Sequence, residues 1–442
     1  MRGRLIFLVF MASTPLWPQV SPSAEGGAPT SQMMIPPPVS NANYPTSVGA
    51  DVHSNYIRGG ITESTAYINN LFPGFGTVPI AETTISILPS IDFDTTTGKR
   101  HIELAYTPGF TFYRPSSTLD EINETALIDY NFRPTPHTAI DVNDQFQDSS
   151  TPSYNFAGIA SAGTISGSPS SLTPNIIPPF AQFLSNSASV EFTAQTGMNT
   201  MFGATGSSMI LHYPNSAETA GLYDFSSRGG SGFYNHRLSD KQYMGAIYQY
   251  SDMLAYLTGE TGTTTTQSIM GYYTLYVKST LSLSITSGPQ YYSSVLPPFP
   301  TTSGWGPAVT ASLGWQGMRT SLSMSYSQSV TGGGGLIGAY HTKTAGATGR
   351  WKMARSWTTS ASGTYFSLNS ATPSLMSLGI ENGRTVSGAM DIDHSMGQHW
   401  DVRFDYVHLH ESYGNIPAIL SNPDSDSEAI SIVWQFMRPL GR

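Results

Sequence analysis

The sequence predicts an all-β chain folded as a transmembrane up-and-down antiparallel β-barrel of about 18 strands. Three observations support this fold class. Segments of roughly 10 to 15 residues alternate between apolar and small polar side chains. Their connections are alternately short and long, with a period of about 40 residues that fits one hairpin and one longer loop. Charged residues make up only 11% of the 442-residue chain, well below the share in soluble globular proteins.

The N-terminal segments come before the predicted barrel. Arg2 and Arg4 precede an apolar run from Leu5 to Ala12, and small residues around Ser21 to Ala24 offer a cleavage site. This pattern predicts a signal peptide over residues 1–24, since the run is too short to span a bilayer. Residues 25–54 are rich in Pro and Ser and are expected to form a disordered leader. The barrel is expected over residues 55–442.

The strands can be placed in order along the chain. The first is expected near Arg58–Ile68 and the last at Ala429–Phe436. Sixteen more are expected in eight hairpins around the short turns "TTTGKR" (95–100), "RPTPH" (133–137), "GMNT" (197–200), "RLSDK" (237–241), "VKST" (277–280), "WQGMR" (315–319), "KMARS" (352–356) and "SMGQH" (395–399). A count of 16 is the alternative, because the first strand and the one near Gly229–His236 are weakly patterned. A propeller is less favoured, since its blades use shorter strands.

The alternation also predicts two faces. In "TLSLSITSG" (280–288), Leu283 and Ile285 fall on one side, and Ser282 and Ser284 on the other. Trp and Tyr lie mostly at strand ends, as in the aromatic girdles of membrane barrels. The apolar side is therefore expected to face lipid. The hydroxyl side is expected to be wet, because a packed core of unpaired hydroxyls would cost about 1–3 kcal/mol for each group.

Charge and composition exclude several functions. The net charge of −9 and the lack of a basic patch argue against nucleic acid as a partner. The chain has no cysteine, so neither a disulfide nor a thiolate metal site is expected. No catalytic residues, cofactor or metal are predicted, since the histidines and serines show no spacing that identifies a nucleophile, a base and an orienting group.

Two local motifs resemble ligand sites but fit the strand pattern better. "GGGGLIG" (332–338) matches a dinucleotide-binding spacing, but the residues after it alternate like a strand, so a flexible external loop is expected. "DIDH" (391–394) with "DVRFDYVHLH" (401–410) contains possible metal ligands. Alternation instead predicts a charge ladder inside the barrel, with Arg403 opposite Asp391 and Asp393. After Tyr406 the polar phase changes to His408 and His410, which indicates a bulge or the exit from the membrane.

The last strand, "AISIVWQF", ends with an aromatic residue, as the C-terminal signal of outer-membrane proteins does, although "MRPLGR" follows Phe436. With "IELAYTPGFTFY" and "SLSITSGPQYY", the strand pattern from Tyr56 to Phe436 resembles the porin-like outer-membrane β-barrels of Gram-negative bacteria. The resemblance implies a location in the outer membrane. It implies outer-membrane lipid as one partner and, through Ala429–Phe436, the outer-membrane assembly machinery as another.

Charged residues at inward positions are the candidate lining of a lumen. They are Glu103, Asp129, Asp141, Glu191, Arg350, Lys352, Asp391, Asp393, Asp401, Arg403 and Asp405. The excess of carboxylates predicts a weak preference for cations. The segment from Ser149 to Val190 has no charge and is expected either to fold into the lumen as a constriction or to remain a disordered surface loop.

The function expected from these features is a passive, porin-like channel for small solutes. The alternative is a non-conducting barrel that acts as an anchor or assembly partner, for example in the export of a surface polymer. An outer-membrane hydrolase is a distant third.

Overall fold

The computed structural model describes residues 55–71, 79–149, 182–214, 223–257, 260–278, 280–333, 336–371, 382–413 and 424–440. The predicted signal peptide and leader lie outside these ranges. The strands are β1 (Tyr56–Ile68), β2 (Glu82–Thr97), β3 (Arg100–Arg114), β4 (Glu121–Thr135), β5 (Thr138–Ser149), β6 (Phe183–Gly197), β7 (Thr200–His212), β8 (Asp224–Ser239), β9 (Gln242–Leu257), β10 (Glu260–Lys278), β11 (Leu281–Val295), β12 (Thr302–Gln316), β13 (Thr320–Gly333), β14 (Leu336–Lys352), β15 (Trp357–Ser370), β16 (Asn382–Met396), β17 (Trp400–Tyr413) and β18 (Asp424–Pro439). One turn of 3-10 helix, Ser117–Leu119, precedes β4.

These strands form one closed sheet. Each strand pairs antiparallel with the next in the chain, and β1 pairs with β18 from Tyr56 opposite Pro439 to Ile68 opposite Ser427. Closure removes the free sheet edges except at the loop end of β12, where Thr302–Ala308 extend beyond the ladder with β13. The predicted fold class and the count of 18 strands are confirmed, and the last strand extends beyond the predicted Ala429–Phe436 at both ends. No helix in the described ranges is long and apolar enough to cross a membrane.

The two ends of the barrel differ in their connections. All eight predicted short turns join hairpins at one end, which we call the turn end. The opposite end, the loop end, has the long connections, such as 69–81 and 150–182. Two connections at the loop end depart from the predicted alternation of short and long. The strands β9 and β10 are joined by residues 258–259 alone, and β13 and β14 by residues 334–335 alone.

The outer face is apolar. Leu283 and Ile285 are 41% and 47% exposed, and their inward neighbours Ser282 and Ser284 are buried, so the two faces alternate as predicted. Tryptophans follow the turn end of this surface at Trp315, Trp351, Trp357, Trp400 and Trp434. Apolar side chains exposed around a whole barrel favour lipid as their surroundings, and the rings suit the membrane interface.

The first and last strands pack closely where they meet. Gly59 on β1 lies opposite Phe436 on β18, and a Cβ added to Gly59 would lie 2.5 Å from the Phe436 ring. A side chain at position 59 would have to displace the Phe436 ring, which packs over the backbone. On the inner face, Ser431 Oγ donates to Ser64 Oγ at 3.0 Å. The aromatic end of β18 therefore helps to close the wall.

Candidate functional site: the lumen

All eleven charged residues proposed from the sequence as lumen lining lie at inward positions of their strands, alternating with the exposed outer residues. They fall into two groups. Glu103, Asp129, Asp141 and Glu191 lie on β3 to β6. The others, Arg350, Lys352, Asp391, Asp393, Asp401, Arg403 and Asp405, lie on β14, β16 and β17. Lys352 is at the turn end and exposed.

Carboxylates of the first group stand directly opposite one another. Glu103 lies between Asp94 and Asp129 in the sheet register, and Asp141 lies opposite Glu191. We call the inward positions of β2 to β6 the acidic sector. Cations beside it include Arg58, which lies 3.6 Å from both Asp92 and Asp94, and Arg133 of β4, whose charge acts on Asp141. Like charges in direct cross-strand pairs repel, so water, cations or protonation must offset the charge of these pairs. Glu191 is only 6% exposed, whereas Glu103 and Asp129 are partly exposed.

The second group forms the expected ladder only in part. Arg403 Nε donates to Asp393 at 2.5 Å, as the alternation predicted. Asp391 instead lies opposite Asp405 and accepts a hydrogen bond from Ser360. Asp401 accepts from Gln435 Nε2 at 3.0 Å. The ladder therefore contains one ion pair and one pair of opposed carboxylates.

The hydroxyl-lined strands correct one prediction. Ser282 and Ser284 on β11 are only 8% and 4% exposed, so they are not wet as expected. Ser284 Oγ lies 2.9 Å from Thr274 Oγ1 on β10. Tyr272 and Tyr276 are the inward residues on either side of Thr274 along β10, and they are 7% and 8% exposed. These rings flank the hydroxyl pair and shield it from water.

Large inward side chains form a packed patch that the sequence reasoning missed. Met201, Phe233, Tyr243, Ile247, Met270, Tyr272, Tyr276 and Ala308 pack together on the inner face of β7 to β12. The signal was present in the alternation, since these residues share the inward phase of their strands. It was missed because aromatic residues were assigned to the outer girdles.

The last residues of β13 lie inside the barrel. The ladder between β12 and β13 stops at Val309 opposite Gln328. Beyond it, Val330 has the outward phase of β13 but is 0% exposed, because its side chain packs in a cluster with Tyr292 of β11. An inward side chain of β11 also holds its backbone. Gln290 Nε2 donates to Val330 O at 2.9 Å, and Val330 N donates to Gln290 Oε1 at 2.7 Å.

A second contact fixes the same end of β13, in the β13–β14 hairpin. Gly332 N donates to Met253 Sδ at 3.0 Å, and Met253 is an inward residue of β9. A Cβ at Gly332 would lie 2.6 Å from that sulfur. The outward phase of the hairpin thus packs on the inner wall of β9 to β11. For the described residues of "GGGGLIG", this corrects the expectation of a flexible external loop, since β13 continues to Gly333 and β14 begins at Leu336. Residues 334–335 lie outside the described ranges.

The hairpin joins a cluster that crosses the lumen near the loop end. Its members are Phe183, Met209, Leu211, Tyr213, Phe225, Met253, Leu296, Tyr340, Phe366 and Leu368. They come from strands as far apart as β6 and β15, which are nine positions apart in the 18-strand order. The apolar cluster therefore narrows the lumen at this end. The proposed constriction loop, 149–190, lies mostly outside the described residues.

The two histidines of the motif at 401–410 lie away from the lumen. His408 and His410 lie on the outward phase of β17, opposite Asp426 and Asp424 of β18, with no shift in register. The change of phase after Tyr406 is therefore an exit from the apolar band and not a bulge. In the described part of the chain, no group of three or more His, Asp or Glu side chains is arranged to hold a metal ion.

The closed sheet, the apolar outer face and the charged inner face define a transmembrane β-barrel. No family model matches the chain, and no curated protein sequence matches it. Among solved structures it is similar to OccK2 (OpdF) of Pseudomonas aeruginosa in complex with glucuronate, with a TM-score of 0.43 and 10% identity, over 86% of this chain and 98% of that one.

Two further solved structures are similar. The BenF-like porin of Pseudomonas fluorescens has a TM-score of 0.43 and 10% identity, with 86% of this chain and 99% of that one covered. The FrpB iron transporter of Neisseria meningitidis has a TM-score of 0.44 and 10% identity, with 84% of this chain and 65% of that one covered.

Proposed function

We propose that the protein is a passive, porin-like channel for small solutes, with no chemistry of its own and no cofactor. The observation that carries this proposal is the acidic sector. Directly opposed carboxylates such as Glu103 and Asp129 face the interior, and no described Lys or Arg forms a salt bridge with either of them. A dry interior would not stabilise such pairs, whereas a water-filled path beside them would.

The path is narrowed on one side. The packed patch on β7 to β12 and the β13–β14 hairpin occupy part of the interior, so the proposed route follows the acidic sector and the neighbouring polar strands β13 to β17. A lumen partly filled by side chains favours small solutes. The acidic wall favours cations, but salt screens its field over a Debye length of about 8 Å, so the preference is modest.

Planar bilayers test the proposal. The purified full-length protein should give discrete single-channel currents that rise with salt concentration. Heat-modifiable migration on gels checks that the same preparation is folded. A folded, inserted barrel that carries no current would reject the channel.

A specific observation favours a second candidate function, a non-conducting barrel that acts as an anchor or assembly partner. The apolar cluster that includes Tyr340 and Phe366 connects opposite walls of the barrel. If it seals the interior, the barrel is a support for other proteins, for example in surface-polymer export. Absence of current in the wild type, with current restored when the hairpin is released, would favour this candidate.

We also propose that lipid of the outer membrane contacts the apolar outer face, and that the assembly machinery recognises the chain through Ala429–Phe436. Trp434 and Phe436 support the second proposal, since both rings lie on the outer face beside the seam with β1. Replacing both with Ala should reduce assembly into the membrane, as measured by heat-modifiable migration of membrane fractions.

A further inference from the structure

Two histidine–aspartate pairs lie side by side on the outer surface at the loop end. His408 Nδ1 is 2.8 Å from Asp426 Oδ1, and His410 Nδ1 is 2.8 Å from Asp424 Oδ1. The histidines are two residues apart on β17, and the aspartates occupy the directly opposite positions on β18. Residues two apart in a strand point to the same side of the sheet, so the two imidazoles project together.

The aspartates determine which ring nitrogen is available. An ionised carboxylate only accepts hydrogen bonds, so the Nδ1 of each ring is the donor. In the neutral imidazole this leaves Nε2 as the atom with a free lone pair. A histidine that donates one ring N–H to a carboxylate and offers the other nitrogen is the usual form of a metal-ligating histidine, because the carboxylate fixes the tautomer and raises ligand basicity.

The surroundings suit a cation. Asp426 is itself held in place, since its carboxylate also accepts from Tyr406 at 2.8 Å and from Asn69 at 2.7 Å. Both histidine side chains are accessible, 44% exposed for His408 and 32% for His410. Gly388 of β16 lies opposite His408 on the side away from β18, and an added Cβ there would meet nothing within 4 Å. Open space and local negative charge are therefore both present.

We propose that His408 and His410 form a two-histidine site for a divalent transition-metal ion, with Cu²⁺ preferred over Zn²⁺. Imidazole nitrogen suits both ions, and the general order of affinities places Cu²⁺ above Zn²⁺. Two protein ligands leave coordination positions open to water or to a chelator. The site is on the outer surface and is independent of the proposed channel.

A third pair provides a matched control. His212 Nδ1 lies 2.6 Å from Asp224 Oδ2 at the loop end, and the His212 side chain is 49% exposed. The next outward residue on β7 is Ile210, so His212 has no second histidine beside it on its strand. It shares the hydrogen-bonded carboxylate and the exposure of the proposed site but lacks the second imidazole.

The test uses the full-length protein without a histidine tag, in detergent, titrated with Cu²⁺–nitrilotriacetate, a complex that keeps positions open for two more ligands. Electron paramagnetic resonance should show one bound copper with two imidazole nitrogens. His408→Ala and His410→Ala should each abolish the two-nitrogen signal, and His212→Ala should leave it unchanged. Asp424→Asn should weaken binding about tenfold.

Heat-modifiable migration checks the fold of each variant. Asp424 is 56% exposed, so Asp424→Asn tests the site even where a histidine variant folds poorly. The proposal would be overturned by a single-nitrogen signal in the wild type, by equal losses in the His212 and His410 variants, or by copper affinity unchanged in both histidine variants of the pair.

Discussion

Two strands with almost the same sequence pattern differ in the exposure of their inward side chains. "TLSLSITSG" on β11 and "TSLSMSYS" on β13 both place hydroxyls inward and apolar residues outward. On β11, Ser284 is 4% exposed, whereas Ser325 on β13 is exposed. The neighbouring strands explain the difference, because β10 has Tyr272 and Tyr276 at inward positions while β12 and β14 have small residues such as Ser312 and Gly346.

The comparison shows that alternation determines the face of a residue but not what covers that face. An inward serine is exposed beside small neighbours and buried beside tyrosines. The interior of this barrel is therefore divided between a packed side and a wet side. Matched variants on the two sides test that division.

The largest effect is expected for arginine at the buried serine. Ser284→Arg would place a charge among packed rings and remove the hydrogen bond to Thr274, so we expect a loss of about 3 kcal/mol or more in the free energy of unfolding. The matched variant, Ser325→Arg, should be tolerated, because its side chain enters water. Urea unfolding in detergent measures both. Equal stability of the two variants would show that the interior is uniform.

The next effect concerns the outer face of the same strand. Leu283 is 41% exposed, so Leu283→Arg should cost about 2–4 kcal/mol if the side chain faces lipid near the bilayer centre. Unfolding from lipid vesicles is the measurement. Met324→Arg, on the outer face of β13, should cost a similar amount, since both strands have the same outer surroundings. A harmless Leu283→Arg would reject the assignment of lipid to this face.

A smaller effect is expected where the hairpin is held. Gln290→Ala removes two buried hydrogen bonds to the Val330 backbone, which should cost about 1–3 kcal/mol and loosen the inward end of β13. Channel conductance should then rise or become noisier. The inward glutamine Gln249 on β9 is the control, and Gln249→Ala should leave the conductance unchanged. If Gln290→Ala has the same conductance as the wild type, the hairpin does not limit the path.

The uncharged segment within 149–190 gives the smallest expected effect on selectivity. If it folds inward, deletion of residues 157–180 should raise the conductance and leave the ratio of cation to anion permeability nearly unchanged, because the deleted residues carry no charge. Single-channel recordings in a salt gradient give both quantities. Unaltered conductance would place the segment outside the path.

Much of the fold could be predicted from the sequence because the strand period, the turn spacing and the aromatic residues at strand ends are local signals. The eight short turns and the closure of β18 on β1 follow from them. The inward phase of Glu103 or Asp391 follows from alternation alone. These features need no knowledge of which side chains meet inside the barrel.

The packed interior could not be predicted in the same way. The covering of Ser284 depends on its register with Thr274, and the position of Val330 depends on Gln290, 40 residues earlier in the chain. The pattern of β13 remains regular to its end. No local feature of the sequence therefore shows that its last outward-phase residues lie inside the barrel and not against lipid. Such contacts are set by the three-dimensional arrangement of non-neighbouring strands.

The most direct test of the division between a wet and a packed side is the reversal potential in a salt gradient. We predict a modest cation preference in the wild type and its loss in the double variant Glu103→Gln, Asp129→Asn. Glu63 on β1 has the outward phase, opposite Ile432, so Glu63→Gln should leave the preference unchanged. An anion-selective wild type, or the same reversal potential in the double variant, would contradict a water-filled path along the acidic sector.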